Sequence, residues 1–346
     1  MTAAPAAEQD IETAPHHRLL LALADLDPAP DRLRTLAFAP GLDAAAFLEG
    51  AARHKLLPLA GRHVHRLHLD RGPGALPHPW VLTSAYAANR ARNTALADEF
   101  GAVQRELASH RVRYALRKGF ALAEGVYGDP GVRRIGDLDL ALHPADTGPA
   151  HTALTRLGYV QGELAVDSDR VVPYATASGE RPARGDDGEF LPYRKAGLRP
   201  EVPEFYVDLC PVLPEAPLGL PEVPMADVLE RSRSAVRCGS PARELHPADQ
   251  LVDLWAQSAA PARALLDGGP GGGFLPLAKL LDVALLSASL TDADWALAEA
   301  LLADQGLWPA LDPVPRLAAL VFPGSTPSPF ADGPAAAPGL TARLTA

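Results

Sequence analysis

LRKGFALAEGVYGDPGVRRIGDLDLAL, residues 116–142, ends in a six-residue segment, DLDLAL (137–142), that alternates without a break. Successive side chains of a strand point to opposite faces, so Leu138, Leu140 and Leu142 fall on one side and Asp137, Asp139 and Ala141 on the other. Two aspartates placed in this way are roughly 6.6–6.8 Å apart along the backbone. Ionised together they repel each other, and a divalent cation between them removes that cost. Mg²⁺ takes one or two carboxylates and fills its remaining positions with phosphate oxygens, so the pair suits a metal–triphosphate complex. Alone, two aspartates on a strand are a weak signal, because a solvated strand edge carries the same pattern.

The neighbouring segments supply context. Residues 111–117 form a short strand, with Val112, Tyr114 and Leu116 opposed to Arg111, Arg113 and Arg117. GFALAEGVY (119–127) fits a short helix and GDPGV (128–132) a turn. Downstream, Pro149 to Leu157 form a helix closed by Gly158, which tolerates positive φ, and 165–190 is loop-like. FYVDLCPV (205–212) alternates again, setting Phe205, Val207 and Leu209 against Tyr206, Asp208 and Cys210. A third carboxylate from a neighbouring strand would complete a two-metal arrangement. Asp208 is the candidate, with Asp187, Glu189, Glu201 and Glu204 as alternatives nearby.

Helices flank this centre. Leu96, Phe100, Val103 and Leu107 recur at steps of four, three and four and form one stripe. From His17 to about Leu69 the spacing is helical, with a break at RGPGALPHP (71–79). Beyond about residue 225 the chain returns to helix: Leu251, Leu254 and Trp255 in one, Leu277 to Leu286 in a second, and a third from Thr291, which Asp294 caps. The expectation is an α+β fold, a small mixed β-sheet core with helical regions on both sides. Its parts are an N-terminal helical region (1–80), the α/β core (81–224), a C-terminal helical region (225–322) and a loose tail (323–346), with residues 1–15 a frayed leader. His63, His65 and His68 share no face and read as polar helix surface. GGPGGG (268–273) lacks the Lys-Ser/Thr of a phosphate-binding loop and reads as a linker.

The composition narrows the function. With 47% hydrophobic and 21% charged residues the chain has the profile of a globular protein. Its net charge of −10 disfavours general binding to nucleic acid or to anionic lipid. Two cysteines cannot build a disulfide framework. No apolar run reaches the roughly 18–20 residues that span a bilayer, and the N-terminus lacks a signal-peptide pattern, so a cytoplasmic location is expected.

Residues 116–142 resemble the signature of the uncharacterised bacterial nucleotidyltransferase family within the polymerase-β-like superfamily. Lys118, Gly119, Leu122, Tyr127, Pro130, Arg133, Asp137 and Asp139 fall in register with it, as do Leu157, Gly158 and Tyr159 further on. ARHKLLPLAGR (52–62), ELHPADQLVDLW (244–255) and AKLLDVALL (278–286) are also similar in character to the family's flanking segments. The resemblance implies a metal-dependent nucleotidyltransferase core with catalytic and metal-ligating residues Asp137, Asp139 and Asp208. The segment VDLCP (207–211) supplies Asp208, but Cys210 and Pro211 stand where the family usually has His and Trp. Lys118 and Gly119 would contact phosphate by charge and backbone N–H, and Arg133 would clamp the triphosphate or leaving pyrophosphate. The expected cofactor is Mg²⁺ or Mn²⁺, with an NTP such as ATP as co-substrate. The expected acceptor is a small molecule in preference to a protein or tRNA, with no membrane partner. The alternative is a nucleotide- or ligand-binding protein that keeps this fold with impaired catalysis.

Overall fold

Among the described residues five helices open on a proline, whose fixed φ suits the first helical position and whose missing N–H is no loss there. The computed structural model describes residues 14–71, 76, 78–166, 169–177, 181–185, 189–213, 223–268, 273–326, 330 and 340–345. Nearly all of the expected leader and most of the glycine-rich linker lie outside them. The helices are α1 (Pro15–Leu23), α2 (Pro30–Ala37), α3 (Ala44–Arg53), α4 (Leu57–Leu67), α5 (Pro79–Ser109), α6 (Gly119–Leu122) and α7 (Thr147–Arg156). They continue as α8 (Met225–Arg231), α9 (Pro247–Asp267), α10 (Leu277–Ser289), α11 (Asp292–Asp304), α12 (Trp308–Leu311), α13 (Pro313–Val321) and α14 (Leu340–Thr345). The strands are β1 (Tyr114–Arg117), β2 (Leu138–Leu142), β3 (Val160–Leu164), β4 (Val171–Pro173), β5 (Tyr193–Arg199), β6 (Val202–Cys210), β7 (Arg233–Arg237) and β8 (Ser240–Glu244).

The eight strands form one mixed sheet in the order β4-β3-β5-β6-β2-β1-β8-β7. At its centre β2 runs antiparallel to β1 and parallel to β6. The alternation in DLDLAL becomes two different faces. On one, Leu138, Leu140 and Leu142 join Tyr114, Leu116, Val207 and Leu209 and pack against the α5 stripe, Leu96, Phe100, Val103 and Leu107. On the other, Ala115 and Ala141 meet Met225 and Val228 of α8 and Leu245. The helices before and after the sheet share a single core, which also takes in Leu122, Tyr127 and Val132 from the segment between β1 and β2. Trp255 anchors it, fully buried among Trp295, Trp308 and Phe330 with ring centroids 6.5, 6.2 and 5.8 Å away. Phe330 and the buried Leu344 of α14 thus tie down parts of the segment expected as a loose tail. The α11 cap is as expected: the Thr291 hydroxyl accepts from Asp294 N–H while the Asp294 carboxylate accepts from Thr291 N–H. Among the described residues no helix is long and apolar enough to cross a membrane.

The sheet is larger than the alternation signals. β3 and β5 were not foreseen, β4 falls within 165–190 where loop was expected, and β7 and β8 lie beyond residue 224, where helix was expected. RSAVR and SPARE are strands despite their charges and proline, because Cys238 and Gly239 take φ of 54° and 65° and close a two-residue hairpin. A cysteine in that turn position hides the signal that Asn-Gly would give. His63 is also a correction: it is buried, with Nε2 2.9 Å from the Asp25 carbonyl, while His65 and His68 are exposed.

Arg117 was assigned to a charged strand face. It is 1% exposed, and its Nε and Nη2 donate to both oxygens of Asp253 on α9 at 2.8–3.1 Å. Removing one partner of such a pair strands a buried charge. Asp253→Leu should therefore lower the unfolding free energy by about 3–5 kcal/mol in chemical denaturation, and a loss within 1 kcal/mol of zero refutes the assignment. Burial also lowers the pKa of His54 and of His63 to about 4. The unfolded chain protonates near 6.5, so these groups leave stability intact above that pH and withdraw it as pH falls toward 4. The urea midpoint should drop across this window, and His63→Gln should flatten the drop.

Candidate functional site

The parallel register of β2 and β6 puts Asp139 directly beside Asp208. Asp137 enters the same face just before β2 begins. One carboxylate oxygen from each of Asp137, Asp139 and Asp208 lies within 4.8 Å of the other two, the one such group among the described residues. The structure therefore brings the sequence candidates together. Of the alternatives, Glu204 is engaged with Arg194 at 3.4 Å, Glu201 is exposed, and Asp187 lies outside the described residues.

These charges are held at a cost. Burial, and then the neighbouring Asp139, raise the pKa of Asp137, while Lys118, Arg133 and Lys55 oppose the rise. Lys118 Nζ is 3.2 Å from Asp139 Oδ1. The backbone at Lys118, φ 41° and ψ −127°, is one that L-residues rarely adopt, and Gly119 follows at φ 27°. Gln250 of α9, itself buried, holds the turn by accepting the Lys118 N–H at 3.2 Å. The helix after it widens into a π-type turn over Ala123–Tyr127 and stops at Gly128, φ 67°.

Arg133 arrives beside this turn. Its Nη1 donates to the Gly119 carbonyl at 3.3 Å, while Nε and Nη2 fork onto Asp282 of α10 at 2.8 Å each. Tyr127 adds its hydroxyl to the same carboxylate at 2.7 Å. Asp282 is thus the counter-ion that fixes Arg133.

The polar half of α5 escaped the sequence reading. Asn89 donates to the carbonyls of Gly131 and Arg133, Asn93 to those of Pro130 and Arg133, and Arg92 to that of Ile135. Tyr86 binds the Asp129 carboxylate at 3.0 Å and lies over Gly131, where a Cβ would come within 2.4 Å of its ring. These contacts set the path of the chain into Asp137. A usable signal existed: Asn is a poor helix former, and Asn89, Arg92 and Asn93 recur at helical spacing on one face.

Three hard oxygen donors in one cluster, flanked by a lysine and a glycine turn, fit a divalent cation of the Mg²⁺ or Mn²⁺ type. A family model described as "Uncharacterised nucleotidyltransferase" matches residues 40–323. No curated protein and no solved structure matches the chain.

A carboxylate opposed by burial and by a like charge destabilises the metal-free protein at neutral pH. Asp137→Asn should leave the metal-free melting temperature unchanged or higher and should remove the rise that Mn²⁺ produces in the unaltered chain. A variant that melts lower and still responds to Mn²⁺ contradicts this.

Proposed function

We propose, from the premise that the chain belongs to the uncharacterised nucleotidyltransferase family, that it moves a nucleoside monophosphate from an NTP to an acceptor hydroxyl and releases pyrophosphate. The observation that carries this reading is the meeting, within 4.8 Å, of three carboxylates from two central strands and the residue that leads into one of them. Asp137, Asp139 and Asp208 would hold Mg²⁺ or Mn²⁺, which when bound supplies charge neutralisation for the triphosphate and for the attacking oxygen. Lys118 and the Gly119 turn place phosphate, and Arg133 serves that placement through the Gly119 carbonyl it holds. The acceptor oxygen forms a bond to the α-phosphorus as the bond from that phosphorus to pyrophosphate breaks. Asp208 takes the acceptor's proton and passes it to solvent. Rate enhancement then comes mainly from placement and preorganised charge.

The acceptor is a small molecule in this reading. A net charge of −10 sets the chain against a tRNA phosphate backbone, and a protein side chain is the next choice. One observation favours a second reading, a nucleotide-binding protein without transfer. Cys210 is buried with its Sγ 2.5 Å from Arg117 Nη1, so this position is turned to Arg117 and not toward an acceptor.

Incubation with radiolabelled NTPs and separate small-molecule, protein and RNA pools should label the first and release pyrophosphate. Asp139→Asn should lower the rate by at least about a hundredfold. Label appearing only in RNA overturns the acceptor assignment, and full turnover in the variant overturns the mechanism. Calorimetric nucleotide binding that is indifferent to Mg²⁺ selects the second reading.

A further inference from the structure

Two lysines outside the sheet act electrostatically on the acidic cluster or on the cations beside it. Lys55 follows α3 in the left-handed conformation, φ 60°, and is exposed at the turn into α4. Lys279 lies in the first turn of α10, half-buried. They are more than two hundred residues apart in sequence, and His54 joins them: its Nδ1 accepts the Leu277 N–H at 3.2 Å and its carbonyl the Ala278 N–H at 3.3 Å. Each lysine is therefore next to one end of a hydrogen-bonded clasp between α3 and α10.

A chain of contacts leads from α10 to the site. Lys279 is one helical turn before Asp282, which holds Arg133, which in turn holds the Gly119 carbonyl. Burial first, then Lys118, Lys55 and Arg133, lower the pKa of Lys279, and Asp282 opposes them; Lys55 also acts on Asp137. The other two cations of the cluster are paired with carboxylates: Arg133 with Asp282 and Lys118 with Asp139. Lys55 and Lys279 make no ion pair among the described residues. A half-buried ammonium set among other cations is unfavourable unless an anion with several charges joins them. ARHKLLPLAGR and AKLLDVALL, two of the three flanking segments whose character the sequence singled out, supply these lysines.

We propose that Lys55 and Lys279, together with Lys118, form a polyphosphate subsite opposite the acidic cluster, which grips the terminal phosphates of a nucleoside triphosphate. This rests on the transferase reading for its ligand and adds to it the two helical regions as one jaw of the site. Ammonium groups on flexible stems suit phosphate as point charges, without demanding a fixed fork geometry.

The test measures binding of inorganic tripolyphosphate, of the α,β-methylene analogue of ATP with Mn²⁺, and of Mn²⁺ alone to the full chain. Lys55→Gln and Lys279→Gln should each weaken tripolyphosphate and the analogue about tenfold or more. Neither should weaken Mn²⁺ alone, because removing a nearby positive charge cannot repel a cation. Lys55→Arg and Lys279→Arg should recover most of the affinity. Lys279→Met, which keeps the apolar stem, should behave as Lys279→Gln with an unchanged melting temperature, which separates lost charge from lost packing. Analogue binding that depends on Asp139 but not on either lysine overturns this inference and leaves the transferase reading intact. Lysine-dependent tripolyphosphate binding in a chain that ignores Mn²⁺ supports the subsite and counts against the transferase. A chain that binds neither tripolyphosphate nor the analogue overturns both.

Discussion

Asp139 and Asp208 stand side by side on two parallel strands in the middle of the sheet, and Asp137 joins them from the residue just before β2. Like charges in that arrangement destabilise a sheet, and here burial adds to the repulsion. Much of the surrounding architecture offsets that cost. Lys118 reaches Asp139 from a strained turn, and the turn persists because Gln250 and Arg133 bind its backbone. Strain at one residue is thus maintained by groups from α9 and from the loop before β2, as expected where surrounding structure over-determines a rare conformation.

A second consequence is that the helical regions are parts of the site. Asp253 of α9 engages Arg117 at the end of β1, and Gln250 of α9 and Asp282 of α10 each engage a residue of the segment between β1 and β2. That segment also contributes Leu122, Tyr127 and Val132 to the core shared by the flanking helices. Apolar packing and buried ion pairs therefore act on the same twenty or so residues from both directions. Because buried pairs depend on geometry more than on count, small displacements of α9 or α10 would be felt at the acidic cluster. The family match over residues 40–323 spans these helices as well as the sheet, in keeping with a site built from all three parts.

The face opposite the acids explains why the sheet tolerates them. Leu138, Leu140 and Leu142 bury fully against a continuous stripe on α5, so β2 is anchored on one side regardless of what its other side carries. The same helix, one or two turns earlier, uses Asn89, Arg92 and Asn93 to hold the chain that delivers Asp137. One helix thus combines an apolar grip on the strand with a polar grip on the loop.

Much of this was legible in local pattern. Period-two alternation fixes which face of β2 and β6 carries acids, since a strand offers a side chain no third direction. Helical spacing identifies the stripe on α5, and Thr291 with Asp294 identifies a cap, because both depend only on neighbours within one turn. Other features depend on partners far along the chain. That Asp208, and not Glu204, shares the cluster follows from the register of β2 against β6. That Arg117 is buried and Arg133 half-buried beside acids follows from α9 and α10, 136 and 149 residues downstream. The hairpin at 233–244 takes its place through pairing with β1, and His63 is buried because other helices cover it. Sequence determined the direction in which each side chain projects; only the tertiary structure decided what it meets there, because pairing free energy is settled between segments that no local window contains.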